Sequence, residues 1–186
     1  MLNSVENHMV IGPPESDDKF NCEDESDKED EMLIREAALE LAEYHLGAGE
    51  VGANNSGPFI EKILNGLADP PSNWCCAFPC WCYKKACSMQ GIEMPFKYTL
   101  SARNLFNQLK FYRQTIPERG DLIFFWRGSI DSWMGHMGFV FSRKGTHLVT
   151  IEGNRGKFPS VVAKYEYTFG RITDLLGYVR VPDKIS

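Results

Sequence analysis

Apolar and polar positions follow two different periods along this chain, and the period changes once. Leu33, Ala37, Ala38, Leu41, Ala42 and Tyr44 recur at helical spacing, which predicts a first helix opened by Asp30 or Glu31 and stopped by Gly47. Gly49 to Gly57 is a loop rich in Gly and Asn. A shorter helix is predicted from Pro58 to about Leu67, with Pro58 near its first position and Gly66 near its end. Pro70 and Pro71 interrupt the chain. A largely apolar helix then runs to about Gln90, with Ser72 or Asn73 as cap, Cys75 in its first turn, and Pro79 expected to kink it. Ser101 caps a fourth helix reaching about Tyr112.

After Pro117 the pattern shortens to strands. Leu122–Trp126 is a buried strand, His136–Phe141 a second and His147–Glu152 a third, with Val161–Tyr167 and Leu176–Val181 as the fourth and fifth. Helices first and consecutive antiparallel strands afterwards define an α+β fold, N-terminal helices packed on an antiparallel β-sheet.

Composition narrows the picture. At 186 residues, 43% apolar and 12% aromatic, the chain can build one domain with appendages. No apolar run approaches the ~18 residues of a membrane span. Met1 to Gly12 lacks a basic region followed by an apolar core, so no secretory signal is expected, and synthesis in the cytoplasm is. The net charge of −5 is unevenly spread. Glu15 to Glu31 holds ten acids and two lysines, whereas residues 32–186 hold 18 basic and 14 acidic side chains. Residues 1–31 therefore read as an acidic, flexible tail ahead of a mildly basic domain over 32–186. A small positive excess without a basic–aromatic stripe argues against nucleic acid as a partner.

Five of the six cysteines lie between Cys75 and Cys87. Neighbours on one helix cannot adopt disulfide geometry with most of each other. With no Cys-x-x-Cys pair, a zinc site is not expected either. Reduced thiols remain. Cysteine on an apolar helix is commonly plain core, but a cysteine at a helix N-terminus gains thiolate character from the dipole. The choice depends on a histidine and a carboxylate.

The second hairpin supplies both. A three-residue turn Arg143-Lys144-Gly145 sets Ser142 opposite Thr146. Counting back down the ladder then puts His136 opposite Glu152, on one face. A bulge would shift that register. The pair has the arrangement in which a carboxylate orients an imidazole that takes a thiol proton. His8, His45 and His147 have no equivalent partner.

The runs Trp74-Cys75-Cys76-Ala77-Phe78, Gly120-Asp121-Leu122-Ile123-Phe124-Phe125, Gly135-His136-Met137-Gly138-Phe139-Val140 and Ile151-Glu152-Gly153-Asn154 resemble CHAP domains. These are the cysteine, histidine-dependent amidohydrolases/peptidases related to the NlpC-type peptidoglycan hydrolases. Glu50 to Asn55 and Leu176-Gly177-Tyr178-Val179-Arg180 also look familial, so the likeness spans roughly residues 33–182. The resemblance implies a papain-like, NlpC-like fold. It implies Cys75 as nucleophile, His136 as general base and acid, Glu152 orienting His136, Asn154 as a polar fourth member, and the Cys75 N–H in an oxyanion hole. Pro79 and Cys76 depart from the family's usual residues.

On this reading the chain is a peptidoglycan amidase or endopeptidase that cleaves the stem or cross-bridge with no metal or cofactor. It would serve as a phage lysin or an antibacterial toxin, acting on the wall after non-classical release. Trp126 and Trp133 are the candidate substrate-binding residues. A toxin would imply an inhibitory immunity protein as partner. The alternatives are a cysteine protease or amidase of the same fold with a non-wall substrate, and a non-catalytic binding module.

Overall fold

The computed structural model describes residues 33–182, so the acidic segment and the expected caps Asp30 and Glu31 lie outside the described residues. Four helices precede most of the sheet: α1 Ile34–Tyr44, α2 Pro58–Leu64, α3 Ala77–Gln90 and α4 Ala102–Gln108. A turn of 3-10 helix, Lys110–Tyr112, leads into the strands β1 Arg113–Gln114, β2 Leu122–Trp126, β3 Gly135–Lys144, β4 His147–Glu152, β5 Ala163–Thr168 and β6 Leu175–Val179. They form one antiparallel sheet in the order β1-β6-β2-β3-β4-β5. The expected α+β architecture is present. The two-residue β1, too short to carry a period, is an addition to the strands read from the sequence. No helix among the described residues is long and apolar enough to cross a membrane.

Helix ends follow local chemistry, though not always at the expected residue. Helix α1 ends at Tyr44, which is exposed, and buries Ile34, Ala38, Leu39 and Ala42. Helix α2 stops at Leu64 because Asn65 and then Gly66 turn left-handed, at φ 55° and 71°. Ser101 caps α4 as expected, its side chain accepting from the Asn104 N–H at 3.2 Å.

Helix α3 corrects one expectation. Neither Ser72 nor Asn73 caps it: Ser72 Oγ donates instead to the Asp69 carbonyl at 2.8 Å, and the N-cap is Cys76. This puts Pro79 at the third helical position, inside the first turn. Backbone N–H groups there have no partner within the helix, so a missing one costs nothing and the helix runs unbroken for 14 residues. Every side chain from Ala77 to Tyr83 is buried, which makes α3 the central helix. It packs on α1 and α2 on one side. Toward the sheet, Tyr83 stacks on Phe139 of β3 with ring centroids 5.9 Å apart. Full burial of a side chain such as Phe78, Phe124 or Phe139 contributes about 1.5–3 kcal/mol.

The sheet buries both faces. Leu122, Phe124, Met137, Phe139, Ile151 and Val179 join the helices in the main core. Ile123, Phe125, Val140, Leu148 and Tyr178 form a second cluster on the other face, under Tyr167 and Phe169. Strand alternation assigns His136 and Glu152 to this second face.

The β3–β4 register also differs from expectation. Lys144 pairs with His147 across a two-residue turn, Gly145-Thr146, and Ser142 pairs with Val149. Continued unbroken, that register would put Glu152 opposite Phe139 and on the face opposite to His136. A bulge between Val140 and Ser142 leaves Phe141 unpaired and resets the ladder, so Glu152 lies opposite Gly138. The tighter turn and the bulge together shift the register by an even number of residues. His136 and Glu152 therefore share a face as diagonal neighbours, not as the direct pair expected.

Candidate active site

Cys75 sits just before the start of α3, with 9% of its surface exposed. Its Sγ lies 3.9 Å from the Gly135 carbonyl at the start of β3. The next residue, His136, is close enough for Cys75 to raise the pKa of its imidazole. His136 is 3% exposed, and its Nε2–H donates to Glu152 Oε2 at 2.7 Å. With Nε2 on Glu152, Nδ1 is the ring nitrogen left for the sulfur. The three residues thus form one line from the entry of α3 through β3 to β4, hydrogen-bonded between His136 and Glu152.

Glu152 is completely buried, and an ionised carboxylate in such a place is costly without partners. It has four. Besides His136, Oε1 accepts from Thr150 Oγ1 at 2.6 Å and from the Tyr167 hydroxyl at 2.7 Å. Arg155 Nη1 lies 3.1 and 3.0 Å from the two oxygens. These are short, charge-assisted bonds of the kind that hold a carboxylate in one position. Reasoning from the sequence missed Thr150, Tyr167 and Arg155. Thr150 faces the site because it lies two residues before Glu152 on the same strand, and that period was readable. Tyr167 arrives from a different strand and Arg155 from a loop, where no period operates.

Burial pulls the His136 imidazole down, but the interactions with Cys75 and Glu152 outweigh it, and its pKa is raised to about 9. The site is therefore built to hold a proton on His136. Cys76 has the opposite character. It is fully buried and directed at the Thr99 carbonyl, 3.3 Å away, and at Cys80 Sγ, 3.9 Å away. Burial first, then Cys80 and Cys75, pushes its thiol well above the ordinary cysteine value. Of the two adjacent thiols, only that of Cys75 meets the histidine. Cys75, Cys76, Cys80, Cys82 and Cys87 are all free. Among the described residues, no three His, Cys, Asp or Glu side chains are grouped to hold a metal ion.

The line opens into a cleft of about 1080 Å³, which Cys75 and His136 both border. Asn154 borders it too, in a left-handed conformation at φ 58°; its side chain has no hydrogen-bond partner among the described residues. Trp133 stands at the rim, 81% exposed. Trp126, the other tryptophan expected in the groove, does not border the cleft: it ends β2 opposite Gly135.

Two close approaches hold the site together. Glu50, 5% exposed, accepts from the Asn55 N–H at 3.0 Å, Trp74 Nε1 at 3.1 Å and the Ser160 N–H at 2.8 Å. It thus ties the loop after α1, the approach to Cys75 and the loop after Glu152 to one carboxylate. Gly153 lies flat against the Trp74 ring, where a Cβ would overlap the indole.

No curated protein matches the chain. Two solved structures share its fold, "The crystal structure of Ly7917" at 16% identity and TM-score 0.52, and "The crystal structure of Ly7917 with the hydrolyzing product of MDP" at 17% and 0.51. Each match covers 80% of this chain and 62% or 63% of the other, so the chain accounts for less than two thirds of that protein's length. The family model for the CHAP domain matches residues 68–154, the segment that carries Cys75, His136, Glu152 and Asn154. The CHAP domain is an amidohydrolase/peptidase domain. Over residues 68–154, this chain is similar to the CHAP domain family.

Proposed function

We propose that the chain is a peptidoglycan hydrolase that cuts an amide bond of the stem or cross-bridge peptide through Cys75, His136 and Glu152. The observation carrying this reading is Cys75 beside His136, open to the cleft, with His136 hydrogen-bonded to Glu152, inside the CHAP match. The fold neighbour solved with the hydrolysing product of MDP supports a wall fragment as substrate.

In this mechanism His136 takes the Cys75 proton while sulfur attacks the carbonyl carbon. The resulting oxyanion meets the Cys75 N–H. The C–N bond then breaks, and the departing amine takes the proton from His136, leaving a thioester on Cys75. Water attacks the thioester as His136 removes its proton. The carboxylic acid departs, and the proton returns to sulfur. Glu152 holds the ring in register and supports the imidazolium throughout. Asn154 and Trp133 contact the substrate in the cleft. The biological setting is wall lysis, by a phage lysin or by a toxin matched with an immunity protein.

The test is digestion of purified peptidoglycan by wild type, Cys75→Ala and Cys76→Ala, with products read by mass spectrometry. Wild type and Cys76→Ala are expected to release fragments whose masses name the bond, and Cys75→Ala none. Wild type inert on walls of several chemotypes, yet able to cleave a protein panel, would replace the wall reading with a protease.

A further inference from the structure

The ionisable basic side chains at the cleft outnumber the carboxylates that line it. Arg127, Arg155 and His136 border it, and no Asp or Glu among the described residues does. Arg127 has a partner at its back, Asp174 at 3.5 Å. The carboxylate behind His136, Glu152, is shared between His136 and Arg155. When His136 carries the thiol proton, the Cys75 thiolate and Glu152 offset His136 and Arg155, so no second carboxylate of the chain is needed at the cleft.

Among these cations, Arg155 is the one fixed in place with donors to spare at the cleft. Its guanidinium is held in place by Glu152 and by two aromatic rings, Tyr165 at 4.5 Å and Tyr167 at 5.0 Å. The hydroxyl of Tyr165 and Oγ of Ser160 both donate to the Arg155 carbonyl, at 3.2 and 3.1 Å, so its backbone is fixed as well. Only Nη1 is engaged by Glu152. Nε and Nη2 have no hydrogen-bond partner among the described residues, and the side chain is 32% exposed where it borders the cleft. A guanidinium with rigid free donors fits the two oxygens of a carboxylate.

We propose that Arg155 is a specificity-determining residue that seats a carboxylate of the substrate peptide beside the scissile amide, so that acidic stem peptides are favoured over amidated ones. This rests on the wall-hydrolase reading above and names the peptide class that the site takes. Arg155 thus does two jobs: Nη1 positions Glu152, and the remaining N–H groups bind substrate.

Two probes separate those jobs: N-acetylmuramyl-L-alanyl-D-glutamic acid, and the same molecule with both glutamate carboxyls converted to carboxamides. Each is titrated calorimetrically into the full-length Cys75→Ala protein, alone and combined with Arg155→Gln or Arg155→Lys. The acid is expected to bind roughly tenfold or more tightly than the diamide, as a charge-assisted pair requires. Arg155→Gln should erase the preference and Arg155→Lys, which keeps the charge and protects against a folding failure, should retain part of it. Equal binding of the two probes, binding of neither, or a preference that survives Arg155→Gln overturns the proposal. Hydrolysis by the Cys75-bearing protein is read separately. An acid preference in binding with no digestion of purified peptidoglycan retires the hydrolase reading and keeps the carboxylate subsite. An Arg155→Gln enzyme slowed equally on both probes shows a residue acting only through Glu152, and also overturns the proposal.

Discussion

Gly138 and Glu152 face each other across the β3–β4 ladder, and Glu152 reaches His136 only by crossing the space where a side chain at 138 would stand. A Cβ at 138 would lie 2.5 Å from Glu152 Cγ and 2.6 Å from the Ile151 carbonyl. Gly138 is therefore part of the site without containing any reactive atom.

Gly138→Ala follows from that clearance. The backbone oxygen cannot yield without breaking the ladder, so the Glu152 side chain must swing away from His136. Overpacking of this kind costs about 1–3 kcal/mol. The expected result is a lowered thermal midpoint together with a loss of hydrolysis of at least about tenfold, since an unsupported imidazole no longer holds its orientation. A variant with native activity would show that the carboxylate can reach His136 by another path.

The elevated pKa of His136 gives a signed dependence of stability on pH. The folded value, about 9, lies above the ordinary 6.5. The native state therefore holds this proton more tightly than the unfolded chain does. The stability it supplies is fully present below pH 6.5 and is lost as pH rises through about 9. Its full size is on the order of 3 kcal/mol. Denaturant titrations of wild type between pH 6 and 10 should show this fall. Glu152→Gln, which withdraws one of the supporting hydrogen bonds, should flatten it. A wild-type curve that rises with pH over the same range would contradict this account of the histidine.

Glu50 is expected to matter as much as a residue of the reactive line. Its carboxylate is the acceptor for the buried Trp74 Nε1–H and for two backbone N–H groups, Asn55 in its own loop and Ser160 in a distant one. Glu50→Ala strands these donors, and each buried orphan costs about 1–3 kcal/mol. A thermal shift assay should register a loss of about 3 kcal/mol or more. Activity should drop in the surviving folded protein, because Asn55 and Arg155 border the cleft on loops this carboxylate anchors. Glu50→Gln keeps an acceptor oxygen and should fall between the two.

Local signals acted where their range was long enough. A hydroxyl cap works over three residues, so Ser101 marked the start of α4 correctly. Alternation works along one strand, so β2 was found to the residue, and β3 and β4 were recognised with their hairpin. Cys75, His136 and Glu152 stood out because each lies at a place with its own local meaning: a helix entry, a strand start and a strand end. What the chain could not announce were relations between segments. The turn at Gly145-Thr146 and the bulge at Phe141 each shift the ladder, and only the packed sheet selects the combination that returns His136 and Glu152 to one face. Gly138 looks like any strand glycine until Glu152 is laid over it. Thr150, Tyr167 and Arg155 become one set of partners only around a buried carboxylate that must be satisfied, and only the folded cleft separates Trp133 from Trp126. Sequence alone determined most of the elements and the candidate residue types, because propensity and period are local. Tertiary structure decided register, clearance and the second ring of partners, because burial brings together residues far apart in the chain.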